Sequence, residues 1–302
     1  MIRSEQLRAS FFLTVATLCW GLNANFSKLA VDQITPMQVV TFRWLGVVLI
    51  LLLFARENIR RDWPILRRHL PFLALMGGCG FTVFNALFYV AGHHTSAINI
   101  GILQGALPIF VLIGSFLAFG QRINAIQAAG VTLTLLGVVI VASGGSLQAL
   151  AEFSVNRGDI FMLIACLIYA VYSLGLSRSP KVSPLGLFAV MAFVAWLVSL
   201  PLVITETWLL GWQPPTVRGW IIVALITLLP SLLAQLFFIF GVKLIGPARA
   251  GTFYNLVPVF ASILAVVLLR EVFEMYHALS LMLVLGGIWL SERGKPKSPA
   301  AG

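Results

Sequence analysis

The chain has 302 residues, of which 60% are hydrophobic and only 10% charged. Soluble domains keep roughly 25% charged residues to face water, so a water-soluble globular fold is excluded and the surface must face lipid. The formal net charge of +10 does not indicate a nucleic-acid partner, because the basic residues sit in short runs between apolar stretches rather than on one polar domain.

A membrane-spanning helix needs about 20 mostly apolar residues, and that ruler gives ten spans. The first, at about 10–30, follows MIRSEQLRAS and carries Trp20, Asn23 and Asn25. It outruns a signal-peptide core and lacks a small-x-small cleavage site. The second, 37–55, follows Pro36 and holds Arg43. The third, 71–92, carries Asn85 and Tyr89, with His93 and His94 at its end. The fourth, 96–119, carries Asn99, Gln104 and Pro108, and the fifth, 124–143, stops at Gly144-Gly145. The sixth, 158–177, holds Tyr169 and Tyr172, and the seventh is 184–205. The eighth, 218–243, holds Gln235; the ninth, 247–269, holds Tyr254, Asn255 and Pro258; the tenth is 274–291. Cys19, Cys79 and Cys166 all fall inside apolar stretches without disulfide or metal spacing, so no metal site is expected.

Charge sets the orientation. With the N-terminus inside, fifteen of the twenty basic residues fall in inside segments. Lys28, Arg157, Arg218 and Arg270 fall outside, and Arg43 lies within a span. The positive-inside rule therefore predicts a multi-pass protein with both termini cytoplasmic.

Displaced by 150 residues, the chain matches itself. Ala74-Leu75 meets Ala224-Leu225, Phe88 meets Phe238, Gly101 meets Gly251, Pro108 meets Pro258, and Gly137 meets Gly287. Residues 1–145 read as a first five-helix repeat, 146–157 as an external connecting loop, 158–292 as a second repeat and 293–302 as a cytoplasmic tail. Five spans per repeat is an odd number, so the copies enter the membrane from opposite sides. The predicted fold is all-α, two inverted repeats around a central cavity, an architecture that recurs among transporters working by alternating access.

The stretch Ala97 to Val141 and its partner Ala248 to Leu290, with Trp20-Gly21, Asn23 and Lys28 near the start, resemble the repeated unit of the drug/metabolite transporter superfamily. The ten-helix bacterial exporters of amino acids, including aromatic ones, are the branch this chain is most similar to. That resemblance implies a bacterial inner-membrane protein exporting amino acids and related metabolites with broad specificity. One position departs from the pattern: the acidic residue that follows the fourth span of a repeat is Glu271 in the second half but Gln121 in the first.

Polar residues inside spans point inward or toward partners. The expected substrate-binding set is Trp20, Asn23, Arg43, Asn85, Tyr89, Gln104, Tyr172, Gln235, Tyr254 and Asn255. Asn85/Gln235 and Gln104/Tyr254 are equivalent under the 150-residue offset. Asn and Gln in spans also serve as interhelical glue. Arg43 is either an anchor for a substrate carboxylate or an arginine reaching toward the interface or capping helix carbonyls. Pro108 and Pro258 each free a carbonyl one turn earlier and are the expected hinges. Trp63, Trp208, Trp212, Trp220 and Trp289 read as interfacial anchors. No span carries a carboxylate near its middle, which favours facilitated or exchange transport over a buried proton relay. No P-loop, HExxH or GxSxG occurs, so no catalytic residue or cofactor is expected, and a monomer suffices. Export of lipophilic drugs or lipid-linked sugars is the nearest alternative; an intramembrane enzyme or assembly factor is a more distant one.

Overall fold

The computed structural model describes residues 2–146, 148 and 156–294. Among these there is no strand, and nine helices are long and apolar enough to cross a membrane. They are α2 (Pro36–Phe54), α3 (Arg56–His94), α4 (Ala97–Phe119), α5 (Ala125–Ala142), α6 (Arg157–Arg178), α7 (Pro184–Leu210), α8 (Val217–Ile245), α9 (Arg249–Leu269) and α10 (Met275–Arg293). Before them comes α1 (Ile2–Leu29), whose 28 residues are ample for a crossing. It is less apolar than the rest because it carries Asn23 and Asn25, both buried inside the bundle. Ten helices thus form two groups of five. The predicted spans agree with these helices except where a helix runs on into water. There its residues need not be apolar, so α1 begins before Phe11 and α3 starts at Arg56. Part of the predicted connecting loop (147 and 149–155) and most of the predicted tail (295–302) lie outside the described residues.

With ten crossings, the start of α1 and the end of α10 share one face, here the terminal face; the other is the distal face. The two repeats meet along α5 and α10, which pack antiparallel through small residues. A Cβ on Gly287 would lie 2.4 Å from Thr134 Oγ1 and 2.5 Å from the Gly130 carbonyl oxygen, and one on Gly137 would lie 2.8 Å from the Ser280 carbonyl oxygen. Such approach is how membrane helices gain packing energy when lipid gives no hydrophobic drive. Gly287→Val places two methyls against backbone that cannot yield. We expect a loss on the order of 1–3 kcal/mol, read as a lower unfolding temperature in detergent.

Two helices change winding at equivalent places. α3 is π-helical over Gly78–Val83 and α8 over Thr227–Leu233. Pro230, which has no N–H to donate, falls in the α8 segment at the position equivalent to Gly80. The ring of Tyr172 lies against the Gly80 backbone: a Cβ on Gly80 would lie 2.3 Å from that ring. Such single-turn widenings concentrate at functional sites. α4 and α9 are also interrupted at matching places. α4 breaks at Gly105-Ala106 and α9 winds tightly over Phe253–Asn255. Both breaks sit just before Pro108 and Pro258, which cannot bond the carbonyls of Gln104 and Tyr254.

The faces differ. At the distal face Glu271 accepts hydrogen bonds from the backbone N–H groups of Ala97 (2.8 Å) and Ile98 (3.0 Å), capping the start of α4. Thr95 (2.6 Å) and Asn99 (3.2 Å) donate to Asp159, and His277 Nε2 lies 3.2 Å from Asn99 Oδ1. Residues 97–107 are all buried. At the terminal face the equivalent start of α9 is loose: Arg249, Gly251 and Thr252 are exposed. A Cβ on Gly101 would meet Ala261 Cβ at 2.4 Å, whereas one on Gly251 would meet nothing within 4 Å. Gln121 is exposed. The start of α4 at the distal face is capped and buried, and the described start of α9 at the terminal face is exposed.

Candidate functional site

The π-wound turns of α3 and α8, the middle of α1 and α2, and the breaks of α4 and α9 converge on one central cavity. Its volume is about 70 Å³, room for two or three waters at about 30 Å³ each. The polar part of its wall comes from Asn23, Arg43, Asn85, Gln104, Ser231 and Gln235. The apolar part is aromatic: Trp20, Trp44, Phe81, Phe84, Tyr169, Phe188 and Tyr254.

Arg43 organises the polar side. Its Nη1 donates to Asn85 Oδ1 (2.5 Å) and to the Tyr89 hydroxyl (2.8 Å), and its Nε donates to Ser231 Oγ (3.0 Å). The Tyr89 hydroxyl donates to Asn23 Oδ1 at 2.8 Å, and Ser231 donates to the Ile226 carbonyl at 2.7 Å. That last bond spans the π-wound turn of α8. The guanidinium also lies 5.0 Å from the Trp44 ring centre, whose face attracts a cation. Only 4% of Arg43 is exposed. No carboxylate lines the cavity. A central arginine costs about 2.5–3.5 kcal/mol to insert. Here it is held only by neutral groups, so its charge is uncompensated and faces the cavity. The side chain lines the cavity and does not reach the interface.

Two further donors are unsatisfied. The Gln104 side-chain NH₂ and the Trp44 indole N–H are buried without a partner. A buried donor left unpaired costs about 1–3 kcal/mol, a cost an arriving acceptor removes. The site is therefore rich in donors and π-faces, with amide oxygens as its acceptors.

Seven of the ten residues expected from sequence line the cavity: Trp20, Asn23, Arg43, Asn85, Gln104, Gln235 and Tyr254. Tyr89 stands behind Arg43 as its hydrogen-bond partner. Tyr172 lies under Gly80 and packs on Tyr169 with ring centres 5.0 Å apart. Asn255 sits beyond Tyr254 and does not line the cavity. Trp44, Phe81, Phe84, Phe188, Gly80, Pro230 and Ser231 were not anticipated. Aromatic residues in a span look the same whether they face lipid or a cavity, and only Gly78-Cys79-Gly80 and Pro230 gave a local hint, as helix-weakening residues. Asp159, in the first turn of α6, is wholly buried between Thr95 and Asn99.

The EamA-like transporter family matches residues 7–143 and 156–293, thus both halves. A protein of Bacillus subtilis named "Uncharacterized transporter YetK" is 27% identical over 301 residues, covering 98% of this chain and 90% of that protein. "Uncharacterized inner membrane transporter YedA" of Escherichia coli is 24% identical, covering 94% of this chain and 90% of its own. A crystal structure at 20% sequence identity superposes with a TM-score of 0.61, covering 93% of this chain and 95% of that one; it speaks to the fold alone.

Proposed function

The chain belongs to the EamA-like transporter family of the drug/metabolite transporter superfamily, and from that premise we propose that it exports amino acids and related carboxylate-bearing metabolites by alternating access. The observation that carries this reading is Arg43: a buried guanidinium with no acidic partner, set among donors and aromatic rings. A carboxylate supplies the missing counter-charge and can accept from Arg43 and Gln104. An α-ammonium group meets the amide oxygens of Asn23, Asn85 and Gln235, and an apolar or aromatic side chain meets Trp20, Phe81, Phe84 and Tyr254. Lipophilic cations are disfavoured by the same guanidinium.

The basic-residue bias makes the terminal face cytoplasmic. The exposed start of α9 then faces the cytoplasm and the Glu271 latch faces outward, an asymmetry that suits an exporter. The cavity is contracted in this state. Admitting a substrate calls for movement of the α4 and α9 breaks, with Pro108 and Pro258 as hinges. Because the repeats are inverted, swapping the conformations of α4 and α9 closes one face and opens the other.

Counterflow in proteoliposomes preloaded with mixed amino acids tests the reading. Wild type should exchange, and Gln104→Ala and Tyr254→Ala should each raise the half-saturation concentration about tenfold, the effect of losing one good contact. Absence of exchange by correctly inserted wild type with every amino acid overturns the substrate class. Exchange untouched by both substitutions overturns the site.

A further inference from the structure

A second feature lies on the flank of the bundle, at the terminal face. After a break at Ala55, α3 opens with the helix Arg56–Leu66, of sequence RENIRRDWPIL. Leu66 is buried beneath it. Asp62 accepts from the backbone N–H of Ser183 at 3.0 Å and from the Ser183 hydroxyl, tying this helix to the first turn of α7. The anchored helix has Arg56, Arg60 and Trp63 at i, i+4 and i+7, one continuous face. Leu52, one turn earlier in α2, extends that face.

Alongside runs a trough of about 380 Å³ between α2, the Arg56–Leu66 helix and α7, with walls such as Val48, Leu52, Val190, Phe193 and Leu197. That volume falls within the range of small-molecule sites, roughly 300–1,000 Å³. A recess of about 530 Å³ shares Leu52, Ile59 and Trp63 with the trough and adds Arg56, Glu57 and Arg60. The two form one apolar slot with a charged mouth. Neither Arg56 nor Arg60 has an ion-pair partner among the described residues, since Asp62 serves Arg61. Glu57 offsets one of the two charges at the mouth, and Arg67 and Arg68 follow further along the chain.

We propose that this slot binds an anionic phospholipid, with an acyl chain in the trough and the phosphate on Arg56 and Arg60. Any lipid could fill the trough; the mouth makes the choice. Unpaired guanidinium groups fit phosphate oxygens bidentately, and basic recesses between membrane helices on the cytoplasmic side recognise anionic headgroups. A zwitterionic headgroup would bring its own cation against the two arginines. Trp63 sits where the apolar and charged parts meet, at the depth indole prefers. The inference stands apart from the substrate reading, since none of these residues lines the central cavity.

The test uses Trp63 as reporter. The protein is placed in phosphatidylcholine nanodiscs and titrated with brominated phosphatidylglycerol or brominated phosphatidylcholine. Quenching of Trp63 is obtained by subtracting that of Trp63→Phe. Brominated phosphatidylglycerol should quench at roughly tenfold lower mole fraction than the choline lipid. Arg56→Gln with Arg60→Gln should erase that preference, a loss of about tenfold or more for two juxtamembrane charges. Leu197→Trp, which fills the trough and leaves the arginines intact, should weaken quenching by the glycerol lipid when corrected by its own Trp63→Phe control. It keeps the test decisive should the double variant fail to fold. Equal quenching by both lipids overturns the proposal, as does release of the quencher by millimolar inorganic phosphate, which would mark a site for free anion.

Discussion

Arg43→Gln is expected to lower exchange of carboxylate-bearing substrates by about thirty- to several-thousandfold while leaving the unfolding temperature unchanged or slightly raised. The transport loss follows from removing one partner of a buried charge pair, on the order of 2–5 kcal/mol. The stability expectation follows from the empty site. In the resting protein the guanidinium is held by Asn85, Tyr89 and Ser231 at 2.5–3.0 Å with no counter-charge, so its desolvation is only partly offset. A purely structural arginine would behave oppositely, with large destabilisation and transport falling only as folded protein is lost. Arg43→Lys separates charge from geometry. A point ammonium cannot reach Ser231 on α8 and Asn85 on α3 together as the fork does, so exchange should be intermediate. The measurement is counterflow rate against substrate concentration, with thermal unfolding of the same preparations. Wild-type kinetics in Arg43→Gln would remove Arg43 from the site.

Glu271→Ala should unlock the distal face. The Glu271 carboxylate holds two N–H groups of the first turn of α4, donors that no intrahelical carbonyl can satisfy and that favour a negative charge. Hydrogen bonds to charged groups contribute about 1.5–3 kcal/mol each, so losing both shifts the gate equilibrium by on the order of 3 kcal/mol, roughly a hundredfold. Ile100 is wholly buried behind that gate. In a background without Cys19, Cys79 and Cys166, Ile100→Cys should resist a membrane-impermeant thiol reagent applied from the distal side. It should react when Glu271→Ala is added. The mirror experiment is Gln121→Glu, which supplies the acid at the equivalent place of the other repeat and should slow labelling from the terminal side. Unchanged labelling in Glu271→Ala would show that Asp159, Asn99 and His277 hold the gate without it.

The helix count, the repeat and the polar half of the cavity were legible because each leaves a mark in residue type. Twenty apolar residues mark a crossing, a constant offset marks duplication, and an amide or arginine in a span stands out against its neighbours. The aromatic half left no such mark. Phe81, Phe84 and Phe188 are of the same residue type as lipid-facing positions, and Phe81 and Phe84 lie in or beside the π-wound turn of α3. Such turns depend on an i→i+5 bonding choice that hydrophobic periodicity does not encode. The burial of Asp159 left no mark either: it sits in the first turn of α6, and only the approach of Thr95 and Asn99 from the other repeat encloses it. Both members of Asn85/Gln235 and of Gln104/Tyr254 line the cavity, whereas Tyr172 and Asn255 lie off its wall. The two repeats are nonetheless not held alike: the start of α4 is capped by Glu271 and the described start of α9 is exposed.

That inequality has a consequence for flux. A carrier without an energy source must return the same concentration ratio on both sides at equilibrium, whichever way it rests. The Glu271-to-Gln121 difference between the repeats therefore cannot pump on its own. What it can do is divide the kinetic work unevenly, since one face carries a carboxylate cap on α4 and the other an exposed amide. Half-saturation on the terminal side should be the lower of the two, with a compensating difference in maximal rates. On the proposed reading such a duplicated chain would shape the kinetics of exchange and not its equilibrium, responding to rising solute on one side of the membrane before the other.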